Sequence, residues 1–216
     1  MSDVPLVPGP LYGLRAWKVV VADGVERLAG PQRRTPWPPA AGGWTHATCA
    51  EGHAAPAPDC RCGIHAWHPR AASARRVLAS RFDLPGIVEV DGAVELHEDG
   101  FRAERGRPYA FVRVPRRNPH VIERLATTYG AEILDLRRPD ELLAVCRERN
   151  LGLTERVVEE LLGADTIAQR RRTRARKRRN DALRMGAALL VAMGLAGVGV
   201  VIEHSDPQAD RHLAGR

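Results

Sequence analysis

Three of the chain's four cysteines and three of its eight histidines lie within twenty residues, from Cys49 to His68. This segment, CAEGHAAPAPDCRCGIHAWH, has no apolar periodicity that would fold it against a core. A loop of this kind needs another source of order, and a bound metal ion provides one. The cluster therefore constrains the fold more than any other stretch of the chain.

The spacing Cys49-x3-His53-x6-Cys60-x-Cys62 predicts a structural zinc site, because tetrahedral Cys3His sets are standard for this metal. His65 and His68 follow closely, so either of them is a candidate to replace one of the four ligands. Three other interpretations exist: a Cys60–Cys62 disulfide, a reactive thiol beside His65, and side chains that merely pack. A Cys60–Cys62 disulfide would close a very small, strained ring, and a cytoplasmic location keeps thiols reduced.

The sequence predicts no catalysis. Four closely spaced ligands leave no open position on a metal ion, which makes a zinc hydrolase the weakest functional alternative. No Ser-His-Asp signature, phosphate-binding loop or dinucleotide fingerprint is present. Glu95, His97, Glu98 and Glu104 are expected on the solvent faces of strands, and Cys146 is expected to be a buried apolar thiol.

An apolar segment near the C-terminus, Ala182 to Ile202, predicts a single transmembrane helix. Met185 to Ile202 gives 18 uncharged residues, which span roughly 27 Å of the ~30 Å hydrocarbon core of a bilayer. A buried hairpin or core helix rich in alanine and glycine is the alternative. Ala188, Ala192 and Ala196 recur every four residues and predict a face for homo-oligomer contacts.

A polybasic run precedes this segment. It comprises Arg170, Arg171, Arg172, Arg174, Arg176, Lys177, Arg178 and Arg179. The positive-inside rule then places the N-terminal part in the cytoplasm and the chain in the inner (cytoplasmic) membrane as a tail-anchored protein. The run is predicted to set this topology and to contact anionic lipid headgroups, with nucleic-acid binding as the alternative.

Charge elsewhere is balanced. The formal net charge is +7, but outside the polybasic run 25 basic residues face 26 acidic ones. Nucleic acid is therefore an unlikely partner for the main domain, and a protein or small ligand is favoured.

The chain predicts an α+β fold: a small zinc-clipped antiparallel β domain with added helices, a helical stalk and the transmembrane helix. Residues 1–10 are a flexible tail, 11–150 the cytoplasmic domain, 151–181 a basic stalk, 182–202 the membrane helix and 203–216 a short external tail. A hairpin turns at Asp23-Gly24, and four short strands follow between Ile87 and Val114. Helices are predicted over Arg70–Phe82, Asn118–Gly130 and Pro139–Asn150 around a short strand at Glu132–Leu134, and Thr154 caps a last helix that continues to Arg179.

Several stretches together resemble a widespread family of uncharacterised bacterial proteins. They are YGLRAWKV, the Cys/His/CRCGIHA cluster and GIVEVDGAVELHEDGFRAERG, and they lie between about residues 11 and 114. The family pattern has a G-[WL]-R-A-W-[KR]-V strand, a Cys-x-Cys-G-I-[YH]-A cluster and a G-x-V…H-x-x-G-x-R-A-E hairpin. The resemblance implies that Cys49, His53, Cys60 and Cys62 are the metal positions and that His65, where tyrosine is frequent, is not a ligand. It implies no activity.

These observations together predict a membrane-anchored cytoplasmic binding or regulatory module with a structural zinc site. The alternative is a nucleic-acid-associated factor that uses the arginine-rich stalk. The near-neutral charge of residues 1–169 favours the first of these.

Overall fold

The structure is a computed structural model that describes residues 10–31, 35–38, 43–79, 83–115, 117–163, 167, 172–173, 175–176, 180–182 and 185. The chain divides into two compact units, Met1–Ala164 and Asp165–Arg216. The strands and helices with named bounds all belong to the first unit. That unit is a mixed α and β domain, as the sequence predicts.

The strands are β1 (Leu11–Ala22), β2 (Val25–Ala29), β3 (Thr45–His46), β4 (Ile64–Trp67), β5 (Leu84–Leu96), β6 (Gly100–Val112) and β7 (Glu132–Leu134). β1 and β2 form the predicted antiparallel hairpin, with Ala22 paired to Val25. Its two turn residues, Asp23 and Gly24, have φ angles of 53° and 72°. Such a left-handed pair matches the right-handed twist of hairpin strands, so the turn is confirmed.

Two long strands replace the four short ones that the sequence predicts between Ile87 and Val114. β5 continues through Asp91-Gly92 with a register shift between Asp91 and Val94, and β6 runs through Gly106 without a turn. Gly92 has a φ of 83°, so the predicted turn is a bulge inside a bent strand. The turn before Gly100 is confirmed, because the His97 N–H donates to the Gly100 carbonyl at 2.8 Å.

Four strands form a closed ring of pairings, in the order β1, β5, β6, β4 and back to β1. β5 pairs with both β1 and β6, β6 pairs with β4, and β4 returns to β1 through Leu14 and Trp67. All of these pairings are antiparallel, whereas β7 joins β6 in parallel. The bend in β5 and β6 makes the closure geometrically feasible, because one half of the hairpin faces β1 and the other half faces β4.

The helices are α1 (Ala71–Ala79), α2 (Pro119–Tyr129), α3 (Pro139–Glu148) and α4 (Glu155–Leu162). The Asn118 side chain caps α2, and Gly130 ends that helix with a φ of 66°. Thr154 caps α4 as predicted, accepting a hydrogen bond from the Val157 N–H at 3.3 Å. α4 ends at Gly163, so the single helix that the sequence predicts from Thr154 to Arg179 is interrupted there.

Both faces of the sheet are buried, because neighbouring residues along each strand enter different hydrophobic clusters. Trp17, Val88 and Phe111 belong to one cluster, which α2 covers with Ile122 and Leu125. Their chain neighbours Ala16, Ile87 and Ala110 belong to the other, which contains residues of α1 and α3, namely Ala74, Val77, Leu142 and Cys146.

Among the residues that the structure describes, no helix has both the length and the apolar composition needed to cross a membrane. The predicted span, 182–202, lies outside those residues except at Ala182 and Met185, and Ala188, Ala192 and Ala196 are also outside. Of the polybasic run, Arg172 and Arg176 are described as helical and exposed. The anchor, its orientation and the oligomer contact stay predictions.

Candidate metal centre

The loop that carries the cysteines, residues 47–63, joins β3 to β4, and both of these strands pair with β6. β3 pairs with β6 at Gly106, and β4 pairs with β6 from Ala103 back to Gly100. Three residues of an extended strand cover roughly 10 Å, so the ends of the loop are held close together. The Ala47 N–H donates to the Glu104 carbonyl at 2.7 Å and extends this anchoring into the start of the loop.

Within this loop, four predicted ligands converge. One metal-binding atom from each of Cys49, His53, Cys60 and Cys62 lies within 4.8 Å of the others. The Cys49 and Cys60 sulfurs are 3.6 Å apart, and the Cys49 sulfur is 3.3 Å from His53 Nε2. Metal–sulfur bonds of about 2.3 Å and metal–nitrogen bonds of about 2.0 Å in a tetrahedron give edges of about 3.8 Å and 3.6 Å. The arrangement is compatible with a single metal ion bound by all four residues.

The local hydrogen bonds act on the protonation of these side chains in different ways. His53 Nδ1 lies 2.9 Å from the Ala54 carbonyl, which only accepts, so Nδ1 carries the proton and Nε2 is left with its lone pair toward the thiols. The Cys62 N–H and, after it, the side chains of Cys49, His53 and Cys62 lower the pKa of the Cys60 thiol from 9.0 to about 7. The Glu51 N–H donates to the Cys49 sulfur at 3.5 Å. Thiolate is the form of cysteine that binds metals, so the lowered pKa favours the ligand state at Cys60. At Cys49 the Glu51 N–H lowers the pKa, but burial and the Cys60 and Cys62 side chains outweigh it, so the pKa of this thiol is raised.

The two histidines that follow the cluster do not join it. His65 Nε2 lies 2.9 Å from the Arg61 carbonyl, and burial lowers the pKa of this histidine. His68 is fully buried against Phe101, and its Nε2 donates to the His97 carbonyl at 3.0 Å. Cys146 is buried in α3, where burial raises its pKa to about 11. The convergent set is therefore the four residues with the predicted spacing.

A residue that the sequence did not single out lies directly beneath the loop. Arg102 of β6 donates to the carbonyls of Cys60, Cys62 and Ala57, the last two at 3.2 and 3.3 Å. It also forms an ion pair with Glu95 of β5. The available signal was the R-A-E triplet of the family pattern, which contains this arginine, but nothing in the sequence linked that triplet to the cysteines.

A cleft of about 580 Å³ lies elsewhere, between β6, the end of α2 and the start of β7. Tyr12 and Tyr109 line it with ring centroids 5.1 Å apart. Its charged side chains are satisfied within the described part of the chain, because Arg107 pairs with Glu89 and Arg149 pairs with Glu132. The cleft thus presents no free charge there that would specify a ligand.

The donor set at Cys49, His53, Cys60 and Cys62 is compatible with a metal site. Three thiols and one imidazole supply the four donors that a tetrahedral ion needs. Comparisons with models of known protein families, with curated proteins and with solved structures find no match to this chain. Membership of the bacterial family that the sequence motifs suggest stays a prediction. The functional proposal rests on the geometry of the Cys/His cluster.

Proposed function

We propose that the chain is a membrane-anchored cytoplasmic binding or regulatory module whose domain is stabilised by one zinc ion at Cys49, His53, Cys60 and Cys62. The observation that carries the proposal is the convergence of these four donors within 4.8 Å, although ten residues of loop separate Cys49 from Cys60. The ion would fix the path of the loop against β6 and so preserve one shape of the domain surface.

Zinc is the proposed metal because the donor set combines soft thiolates with an imidazole. This combination is typical of structural zinc sites, whereas magnesium and calcium require oxygen ligands. A hydrolytic zinc site would have three protein ligands and a water molecule in the fourth position. Here four protein donors are already gathered, which supports a structural role over a catalytic one.

The membrane part of the proposal is supported by the sequence. An 18-residue uncharged segment follows the polybasic run, and this order predicts an anchor with the domain on the cytoplasmic side. A near-neutral domain held at a membrane by one helix is suited to meeting a protein or small ligand at that surface.

Cross-linking in intact cells tests this proposal with the full-length protein. Leu190→Arg with Val198→Arg places two charges in the predicted span, each costing about 3 kcal/mol at the centre of a membrane helix. Thr166→Arg with Gln169→Arg adds the same charge before the polybasic run and is the matched control. A third variant, Cys60→Ser with Cys62→Ser, removes two predicted ligands.

We expect the unmodified chain and the control to sediment with membranes and to cross-link to the same discrete protein. The span variant should become soluble, and the cysteine variant should stay in the membrane but lose the cross-link. A soluble unmodified chain would contradict the anchor. Cross-links mainly to nucleic acid would contradict the proposed module. So would a protein cross-link that persists unchanged in the cysteine variant.

A further inference from the structure

Arg102 occupies an unusual position for an arginine. It lies near the start of β6, where its backbone faces His65 of β4 on one side and Glu95 of β5 on the other. Its side chain is 7% exposed. A charged side chain is rarely buried to this extent without extensive hydrogen bonding, so its partners indicate what it does.

Those partners belong almost entirely to the metal loop. Nη1 donates to the carbonyls of Cys60 and Cys62, and Nη2 donates to the carbonyl of Ala57 and to the Glu95 carboxylate. Two of the three carbonyls are those of proposed metal ligands. One guanidinium group therefore ties the Cys-x-Cys segment and the turn before it to the central strand.

Charge supports the same assignment. Three thiolates around a divalent ion would give the complex a net charge of −1, and this half-buried negative centre would be stabilised by a nearby buried cation. Glu95 orients Arg102 through Oε2, while its Oε1 lies 3.3 Å from His97 Nε2. Arg15 provides a second buried guanidinium close by, because it donates to the carbonyl of His65, three residues after Cys62.

We infer that Arg102 is the positioning residue of the metal centre, which holds the backbone of Cys60 and Cys62 so that both sulfurs face the ion. This inference rests on the proposed metal site. Lysine would keep the charge but not the planar fork that reaches four acceptors at once. Contacts that orient metal ligands typically contribute about 10- to 100-fold to metal affinity.

The test compares Arg102→Gln and Arg102→Lys with Arg105→Gln in the full-length protein. Arg105 lies on the same strand, pairs with Asp91 and lies over the Trp44 ring, so it is a control whose described side-chain contacts fall outside residues 47–63. Zinc affinity is measured by competition with a chelator, and cobalt absorption reports the geometry of the thiolate ligands. We expect Arg102→Gln to weaken zinc binding about 10- to 100-fold, Arg102→Lys to recover part of this loss, and Arg105→Gln to change it less than about twofold.

Cobalt saturation should give weaker or shifted thiolate bands in Arg102→Gln than in the unmodified chain. If Arg102→Gln fails to fold, Glu95→Gln gives a smaller shift in the same direction, because Arg102 then keeps its charge but loses its orienting carboxylate. Unchanged affinity and cobalt bands, with equal loss of thermal stability in metal-free and metal-loaded protein, would overturn the inference. Absence of metal binding by the unmodified chain would instead refute the proposed function.

Discussion

His68 shows how a titratable side chain is used inside this domain. The ring is fully buried, packs against Phe101 with 5.7 Å between ring centroids, and donates to the His97 carbonyl. Burial lowers the pKa of His68 from 6.5 to about 4, with a smaller opposing effect of the hydrogen bond to His97. The residue is thus neutral in the folded protein at neutral pH, and its role is to fasten the end of β4 to the turn before β6.

His68 should make the domain sensitive to acid. Below pH 6.5 the unfolded chain binds a proton that the folded chain binds only near pH 4, so stability falls as the pH falls through this window. Between pH 7.5 and pH 5 this amounts to about 2 kcal/mol of the free energy of unfolding. Urea unfolding of the metal-free protein at both pH values measures it. His68→Gln should lose this increment and His120→Gln, at an exposed site, should keep it; an equal acid loss in all three proteins would contradict this role.

At the level of single residues, the sequence was sufficient to predict that these four side chains lie together and insufficient to predict the contacts that support them. Cys49, His53, Cys60 and Cys62 lie in one local loop, so their spacing alone brought them together. The part played by Arg102 depends on the register of β6 with β4 and β5, which no local pattern specifies. His68 was ambiguous for the same reason, because its burial depends on Phe101 of a distant strand.

The site depends on the long β5–β6 hairpin. β6 pairs with β3 and β4, the strands at the two ends of the loop, and it also contains Arg102. The sequence pattern predicted its turn at Asp99-Gly100 but divided each strand into two. Glycines at positions such as Gly92 and Gly106 normally indicate a turn or the end of a strand. Pairing with β1, β3 and β4 overrides those signals. No local sequence pattern predicts such long-range pairing. By contrast, α2, α3 and β7 were predictable because their caps and periodicity are local.

Gly86 should be indispensable to this hairpin. A Cβ atom built there would overlap the Ala110 carbonyl oxygen of β6, and Trp17 closes the remaining space. We expect Gly86→Ala to lower the free energy of unfolding by about 3 kcal/mol or more, because the strand backbones must separate. Gly24→Ala, in the open turn of the first hairpin, should cost only about 1 kcal/mol for its left-handed conformation. Urea unfolding compares the two, and equal costs would contradict the close packing of β5 on β6.

At the scale of the whole molecule, the loop that carries the cysteines and the hydrophobic core are stabilised separately. The two hydrophobic clusters draw on the strands and helices, while the loop supplies little more than Ala47 and Ala55 to buried apolar surface. The metal should therefore order the loop without being required for the core. The membrane role proposed for the C-terminal segment is argued from the sequence alone. It does not depend on how the loop and the core are stabilised.

Removal of the metal should loosen one region of the domain. We expect chelation to increase amide hydrogen exchange across residues 47–63, because that loop is held mainly by the ion and by Arg102. β1, β5 and β6 should stay protected, because their hydrogen bonds and both hydrophobic clusters are unaffected. Exchange followed by mass spectrometry resolves the two regions. Uniform loss of protection across the domain would contradict this separation.

X-ray absorption at the zinc edge, on full-length protein with its metal content determined, tests the central claim most directly. The account predicts one zinc ion per chain, with three sulfur ligands at about 2.3 Å and one nitrogen ligand at about 2.0 Å. Protein without stoichiometric metal, or a zinc ion surrounded by oxygen ligands, would contradict it.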